Sequence, residues 1–365
     1  MTDFLIVDAH QDLAWNMLSF GRDYTLSAAE TRRRELDALA SQVNGSTLLG
    51  WPDYQLGKVG LIFSTLFATP ARRKLGDWDQ QCYFNAEEAH LRYSMQLDAY
   101  DRLVEEHHAM FRKIEKAADL QSLVEHWQRL DFDEHPVGLV ILMEGAEGVR
   151  EPAELEHWYQ RGVRIIGPAW AGTRFCGGTR EPGPLTQEGF ALLEGMAEFN
   201  FTLDLSHMDE MATLQALEIY PGPIIASHAN ALALLPGTSS NRHLTDRVIQ
   251  GLLERGGTIG IVPVNNFLRP DWKESGGRSS VTLDYFVAQI DTICQMAGDA
   301  NHVGIGSDFD GGFGLQSVPS DVETIADLRK IIPILSQKGY TEVDISAILG
   351  GNWLVHLQNT LPEGS

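Results

Sequence analysis

The 365-residue chain carries 50 acidic and 28 basic residues, a formal charge of −22, and that balance opposes a phosphate backbone or an anionic membrane surface. Nucleic acid is therefore not an expected partner. No run reaches the apolar length of a transmembrane helix, and "MTDFLIVDAH" lacks the build of a signal peptide, so a cytoplasmic location without a membrane partner is expected.

The length suits either two ordinary domains or one large α/β barrel. Taken in chain order, apolar runs bounded by glycine, proline or polar residues begin with "FLIVDAH" at 4–10, "VGLIFSTLFA" at 59–68, "VGLVILME" at 137–144 and "VRIIGPAW" at 163–170. They continue with "FTLDLSH" at 201–207, "PIIASHA" at 223–229, "GTIGIVPV" at 257–264 and "HVGIGSD" at 302–308. Continuous apolar runs of this kind suit strands buried on both faces, as in a parallel sheet. Helix-like segments fall between them at 209–220, 244–256 and 283–298, with a last helical region from "DLRKIIPILSQKG" to "VDISAILGGNWLVHLQ". Eight strands alternating with helices predict an α/β fold, a (β/α)8 TIM barrel, with 1–365 as a single domain. The intervals between the first three runs are longer than a βα unit needs, so about 20–56 and 70–135 are expected to be decorating insertions, with 84–130 as one or two amphipathic helices. "KESGGRSS" at 273–280 reads as a mobile loop. The three cysteines, Cys82, Cys176 and Cys294, are too widely spaced for a disulfide framework or a zinc cluster.

The active site of such a barrel lies at the carboxyl ends of its strands. The runs here end in His10 with Asp12, then Glu144, His207, His228 and Asp308. His10 and Asp12 are two apart and share a face of a strand, because side chains alternate with period two. Imidazole and carboxylate without thiolate suit zinc, manganese, iron or nickel at a catalytic site. One metal would leave ligands unused, whereas Glu144, between the two groups, has two oxygens with which to bridge two cations. Two divalent metals about 3.5–4 Å apart lower the pKa of a shared water and polarise a carbonyl. The expected cofactor is a pair of divalent ions, with zinc the first choice, and the expected chemistry is hydrolysis.

These residues lie in the motifs "DAHQDL", "LMEGAEG", "LTQEGFALLEGMAEFNFTLDLSHM", "IIASHA", "NRHLTD", "HVGIGSDFDGG" and "ILGGNWL". Together, and in this order, they resemble the membrane (renal) dipeptidase family of metallopeptidases in the amidohydrolase superfamily. The resemblance implies that His10 and Asp12 ligate one metal, that His207 and His228 ligate the other, and that Glu144 bridges them. It also implies that Asp308 carries the proton and that Arg242 binds the substrate carboxylate. Asp310 is expected to be a structural cap. The implied function is a binuclear metal-dependent hydrolase cleaving dipeptides or closely related small amides with a free carboxylate. The alternatives are an amidohydrolase acting on a non-peptide amide and a metal-binding barrel without peptidase activity. A homodimer is expected. One position departs from the family pattern: Trp170 stands where the family has a histidine that contacts the substrate carbonyl oxygen. Two readings follow: Arg174, four residues on, replaces that donor, or Trp170 packs over the barrel mouth while Arg174 faces water.

Overall fold

The computed structural model describes residues 4–129, 131 and 133–363; Leu130 and Phe132 of the second expected insertion lie outside them, as do the ends of the chain at 1–3 and 364–365. Eight parallel strands form a barrel: β1 Ile6–Gln11, β2 Val59–Phe67, β3 Val137–Glu144, β4 Val163–Gly167, β5 Thr202–Asp204, β6 Ile224–Ile225, β7 Ile259–Ile261 and β8 Val303–Ile305. Each pairs with the next in chain order, a single bridge from Ala226 to Ile259 joins β6 to β7, and β8 returns to β1 at Asp8 and Ile305. Every residue of β1, β2 and β3 is buried, which accounts for runs without polar alternation. Two glycines set how closely the last strands approach. A Cβ on Gly260 or Gly306 would stand 1.9 Å from the Ser227 carbonyl oxygen, so only glycine lets β7 and β8 pass the end of β6.

The outer helices follow the expected segments and start on side-chain caps. Asp209, Thr245 and Thr282 accept backbone N–H groups at the starts of Glu210–Ile219, Asp246–Glu254 and Leu283–Ala297. At the carboxyl end, Gly350 backs onto β1, where a Cβ would meet the Leu5 carbonyl oxygen at 2.6 Å. Trp353 Nε1 donates to the Ile305 carbonyl at 3.0 Å, so the last helix, Asn352–Thr360, seals β8.

The two long intervals after β1 and β2 are folded. The first holds short helices at Ala28–Arg34, Leu39–Val43 and Trp51–Gly57; the second holds Ala86–Glu106 and Ala117–Gln128. Two expectations need correction, and one element is unanticipated. A strand, Phe111–Lys113, interrupts the helices of the second insertion and pairs with β3 at Phe111 and Val137. An antiparallel hairpin, Cys176–Gly178 with Glu181–Leu185, follows β4, where the sequence predicts no element. The segment 273–280 is tied down rather than loose: Arg278 donates to the Val318, Pro319 and Val322 carbonyls.

Candidate active site

The strand ends converge as the eight-run pattern requires. Glu144 presents one oxygen to each side of a histidine cluster. Its Oε2 lies 3.6 Å from His10 Nε2, while its Oε1 lies 3.1 Å from His207 Nε2 and 3.5 Å from His228 Nε2. Three groups of ligand atoms form, each within 4.8 Å: His10, Asp12 and Glu144; Glu144, His207 and His228; His10, His228 and Asp308. The first two share Glu144. The third brings Asp308 Oδ1 to 3.9 Å from His10 Nε2.

Neighbouring hydroxyls aim the imidazoles. Thr179 Oγ1 lies 3.0 Å from His207 Nδ1, and Ser227 Oγ lies 2.8 Å from His228 Nδ1. Ser227 in turn donates to the buried Asp204 carboxylate at 2.5 Å. Both histidines therefore turn Nε2 inward, where the two atoms stand 3.0 Å apart. Thr65 donates to Asp12. His10 is fully buried, and among the described residues neither of its ring nitrogens has a hydrogen-bond partner. An orphaned buried imidazole carries a desolvation cost that a cation at Nε2 would remove. The donor set, nitrogen and carboxylate oxygen with outer partners on both of the paired histidines, fits two divalent cations. The backbone is strained here as well. His207 and Asp308 hold φ of 67° and 56°, a region that costs non-glycine residues about 1–3 kcal/mol and recurs at functional sites.

The electrostatics point the same way. Burial pushes Asp308 well above the ordinary carboxylate range, and the charges of Asp12 and Glu144 add to it against His10 and Arg242. Burial also raises Asp12, to about 6, with Glu144 adding and His10 and Thr65 opposing. Burial would raise Glu144 too, but His10, His207 and His228 outweigh it and hold Glu144 well below its usual value. On His10 burial opposes the charge, yet the carboxylates, Glu144 foremost, lift it to about 9. His207 falls to about 4 through burial and the Arg242 charge, and stays a neutral donor.

A cavity of about 380 Å³ opens over this cluster. Arg242 and Trp170 line it. The Arg242 guanidinium is buried; it donates to the His228 carbonyl at 2.7 Å, and its Nη1 has no partner. Trp170 packs on Phe67, ring centroids 5.2 Å apart, and stands 6.2 Å from the His207 ring. Arg174 is not brought to the cavity. Its guanidinium lies 3.0 Å from Glu188 and 3.4 Å from Glu147 and donates to the Val149 carbonyl, so it lines a separate shallow cleft behind the hairpin. Of the two readings of this pair, the geometry favours the one in which Trp170 packs at the cavity and Arg174 stays outside it. Its two acidic neighbours hold it elsewhere. The cavity instead has Arg73, Thr179 and Arg180, which sequence reasoning passed over because they sit in segments with no hydrophobic period. Asp310 is structural, as expected: it is buried and accepts from Arg22, Tyr24, Thr47 and the Leu48 amide.

A parallel barrel with nitrogen and carboxylate ligand groups at its strand ends is the architecture of a metal-dependent hydrolase. Residues 1–360 match the family described as Membrane dipeptidase (Peptidase family M19). The chain belongs to that family and is a metallo-dipeptidase-type hydrolase. A Klebsiella pneumoniae protein known by its place in the 5′ region of pqqA is 33% identical over 233 residues, 61% of this chain and 82% of that protein. Dipeptidase tcpJ of Claviceps purpurea is 27% identical over 220 residues, 57% of this chain and 48% of that one. A Rhodobacter sphaeroides metallopeptidase, solved with a phosphinate mimic of the dipeptide L-Ala-D-Ala, shares the fold with a TM-score of 0.78 at 23% identity, over 98% of this chain and 100% of that one. Among the described residues no helix is long and apolar enough to cross a membrane.

Proposed function

We propose that the chain cleaves dipeptides with a free carboxylate at a binuclear centre. His10 and Asp12 would hold one cation, His207 and His228 the other, and Glu144 both, with zinc as the proposed metal. One observation carries this reading: the two oxygens of Glu144 face two different ligand groups, His10 at 3.6 Å and His207 at 3.1 Å. When bound, two such cations polarise a carbonyl and supply an activated water at neutral pH. The chain's own groups do the rest. Arg242, with one guanidinium nitrogen bonded to the His228 carbonyl and the other free, receives the substrate's carboxylate and sets how far the peptide reaches across the cavity. Asp308, whose carboxyl is raised by burial, takes the proton released at the attack and returns it to the leaving amine. Trp170 closes the cavity wall beside His207 and offers no imidazolium to an oxyanion, so ordinary L,L-dipeptides are expected to be slower substrates than for a family member with histidine there. The proposed working unit is the whole chain as one domain, located in the cytoplasm and dimeric, the last checked by light scattering.

The test is Glu144→Ala, with metal content and hydrolysis of a dipeptide panel measured together. The panel includes peptides with a D-residue at the carboxyl end, in view of the mimic held by the Rhodobacter protein. Metal content and turnover should both collapse. A folded Glu144→Ala protein with near-native metal and activity would remove the shared bridge, and with it this reading.

A further inference from the structure

Arg180 occupies a position that ordinary turn chemistry does not give to arginine. Gly178 and Glu181 pair across the hairpin, so Thr179 and Arg180 form its two-residue loop, and Arg180 holds φ of 65°. Positive φ at the second loop position favours glycine or asparagine, and arginine there is strained. Two glycines, Gly177 and Gly178, stand just before it, yet the strained position itself is an arginine. The strain is held in place by one side chain. Asn241 Oδ1 accepts the Arg180 amide at 2.9 Å, while its Nδ2 donates to the Gly178 carbonyl and to Asp209, each at 2.9 Å. Asn241 immediately precedes Arg242, so the hairpin tip is bolted to the segment that carries the carboxylate clamp.

The Arg180 side chain is exposed and lines the active-site cavity. Among the described residues no carboxylate, hydroxyl or carbonyl takes its guanidinium. The other cavity arginines differ: Arg73 is held by Glu181 at 2.7 Å, and Arg242 by the His228 carbonyl at 2.7 Å. The cavity's acidic lining consists of Asp12, Glu144 and Asp308, and all three belong to the cation site. With their charge met by cations, the mouth is positive, on a chain whose formal charge is −22. Such a pocket favours a substrate with more than one anionic group.

We propose that Arg180 is a specificity-determining residue that receives a second carboxylate, borne by the side chain of the substrate's carboxyl-terminal residue, so that dipeptides ending in an acidic residue are preferred. The assignment to that residue follows from the tether. The Arg180 amide is bonded to Asn241, the chain neighbour of Arg242. Trp15, just after β1, and Phe67, at the end of β2, also line the cavity, three and four strands round the barrel from the β6 that precedes Arg242. The α-carboxylate meets Arg242, the side-chain carboxylate meets Arg180, and the amino-terminal residue lies toward Trp15 and Phe67. This inference rests on the dipeptidase reading above and adds the substrate class.

The experiment compares kcat/KM of the zinc-loaded protein for Ala-Asp and Ala-Asn, each with an L- or a D-residue at the carboxyl end, with Ala-Ala as reference. The pair differs only in charge. Wild type should prefer the acidic member by about tenfold, the lower end for a charge-assisted hydrogen bond at a partly solvated site, and the preference should shrink as salt is raised. Arg180→Gly, which suits the backbone of the turn, and Arg180→Gln, which keeps the stem, should each bring the ratio close to one. A wild-type ratio near one overturns the proposal while leaving the dipeptidase reading in place, and so does a ratio that survives both substitutions. Failure of wild type to cleave any member of the set overturns both.

Discussion

Asp308 and Asp310 stand two residues apart in the loop after β8, and both adopt the left-handed region, with φ of 56° and 65°. Their surroundings differ in every other respect. The Asp310 carboxylate is fully buried and accepts from Arg22 Nη1 at 3.0 Å, Tyr24 at 2.9 Å, Thr47 at 2.6 Å and the Leu48 amide at 3.1 Å. Its own carbonyl takes Asn16 and Asn44. Asp308 faces the cavity, 3.9 Å from His10 Nε2, with its carboxyl pushed well up by burial. One aspartate has spent all its bonding capacity on the first insertion; the other is left with capacity for a reaction. Residue type and backbone are shared, so the neighbours decide which acid is architectural and which is chemical. The insertion also acquires a purpose beyond decoration: by fixing Asp310 from outside the barrel, it holds the loop that aims Asp308.

The largest effect should come from Asp308→Asn. Removing a proton carrier typically costs about 10²–10⁴ in turnover, while metal content and the unfolding midpoint should stay near wild type. Asp310→Ala should reverse the pattern. It leaves Arg22 buried with only part of its charge compensated, by Glu35 at 3.0 Å, and breaking a buried pair in this way costs about 3–5 kcal/mol. Urea denaturation at constant slope measures that loss. The comparison breaks if Asp310→Ala unfolds at the wild-type urea concentration, or if Asp308→Asn loses stability instead of turnover.

Much of this was readable in the linear chain, for a physical reason. A strand buried on both faces is an uninterrupted apolar run, so its end is visible, and a polar ligand at that end is conspicuous; His10, Asp12, Glu144, His207 and His228 all announce themselves that way. The strand Phe111–Lys113 was not legible, because three residues of "FRK" carry neither a run nor a period. Arg174 and Arg180 show where proximity in sequence misleads. Both lie in "AGTRFCGGTREPG", and Arg174 is the nearer to Trp170 along the chain. The chain reverses at Thr179 and Arg180, which carries the later arginine back to the cavity, while Glu147 and Glu188 draw the earlier one behind the hairpin. Only the pairing register and two acids distant in sequence decide between them.

A pH series sharpens the difference between the two aspartates. Burial raises Asp308 well above 3.8 and raises Asp12 to about 6. A carboxyl raised in the folded state binds its proton more tightly there than in the unfolded chain. Its stabilising contribution is complete below the unfolded value and is lost as pH rises through the folded one. His10, lifted to about 9, has the same sign between 6.5 and 9. In the chelator-treated protein these three groups cost stability as pH rises from about 4, while the lowered histidines, His207 at about 4 and His228 with it, act in the opposite sense up to about 6.5. The Asp308 share is the decline that Asp308→Asn removes from the wild-type slope. Added zinc should oppose it, since cations take the place of the protons. A pH slope that Asp308→Asn leaves unchanged would mean that this carboxyl is not held in its protonated form.

The smallest effect is expected at Thr179, which combines the two roles the aspartates divide between them: it lines the cavity, yet its hydroxyl is committed to the protein. Thr179 Oγ1 stands 3.0 Å from His207 Nδ1, and its amide donates to the Trp170 carbonyl at 2.9 Å, so the hairpin tip fixes both the rotation of the imidazole and the nitrogen that faces the ligand cluster. Removing an outer hydrogen bond from a metal-ligating histidine typically weakens metal binding about 10–100-fold. Thr179→Val keeps the side-chain shape and loses the hydroxyl; Thr179→Ser keeps the hydroxyl and loses a methyl. Zinc affinity measured by competition with a chromophoric chelator should fall for valine and stay near wild type for serine, with the two folds equally stable. If valine binds zinc as tightly as threonine, packing against Trp170 alone orients His207, and the hairpin then serves the shape of the cavity rather than the metal centre.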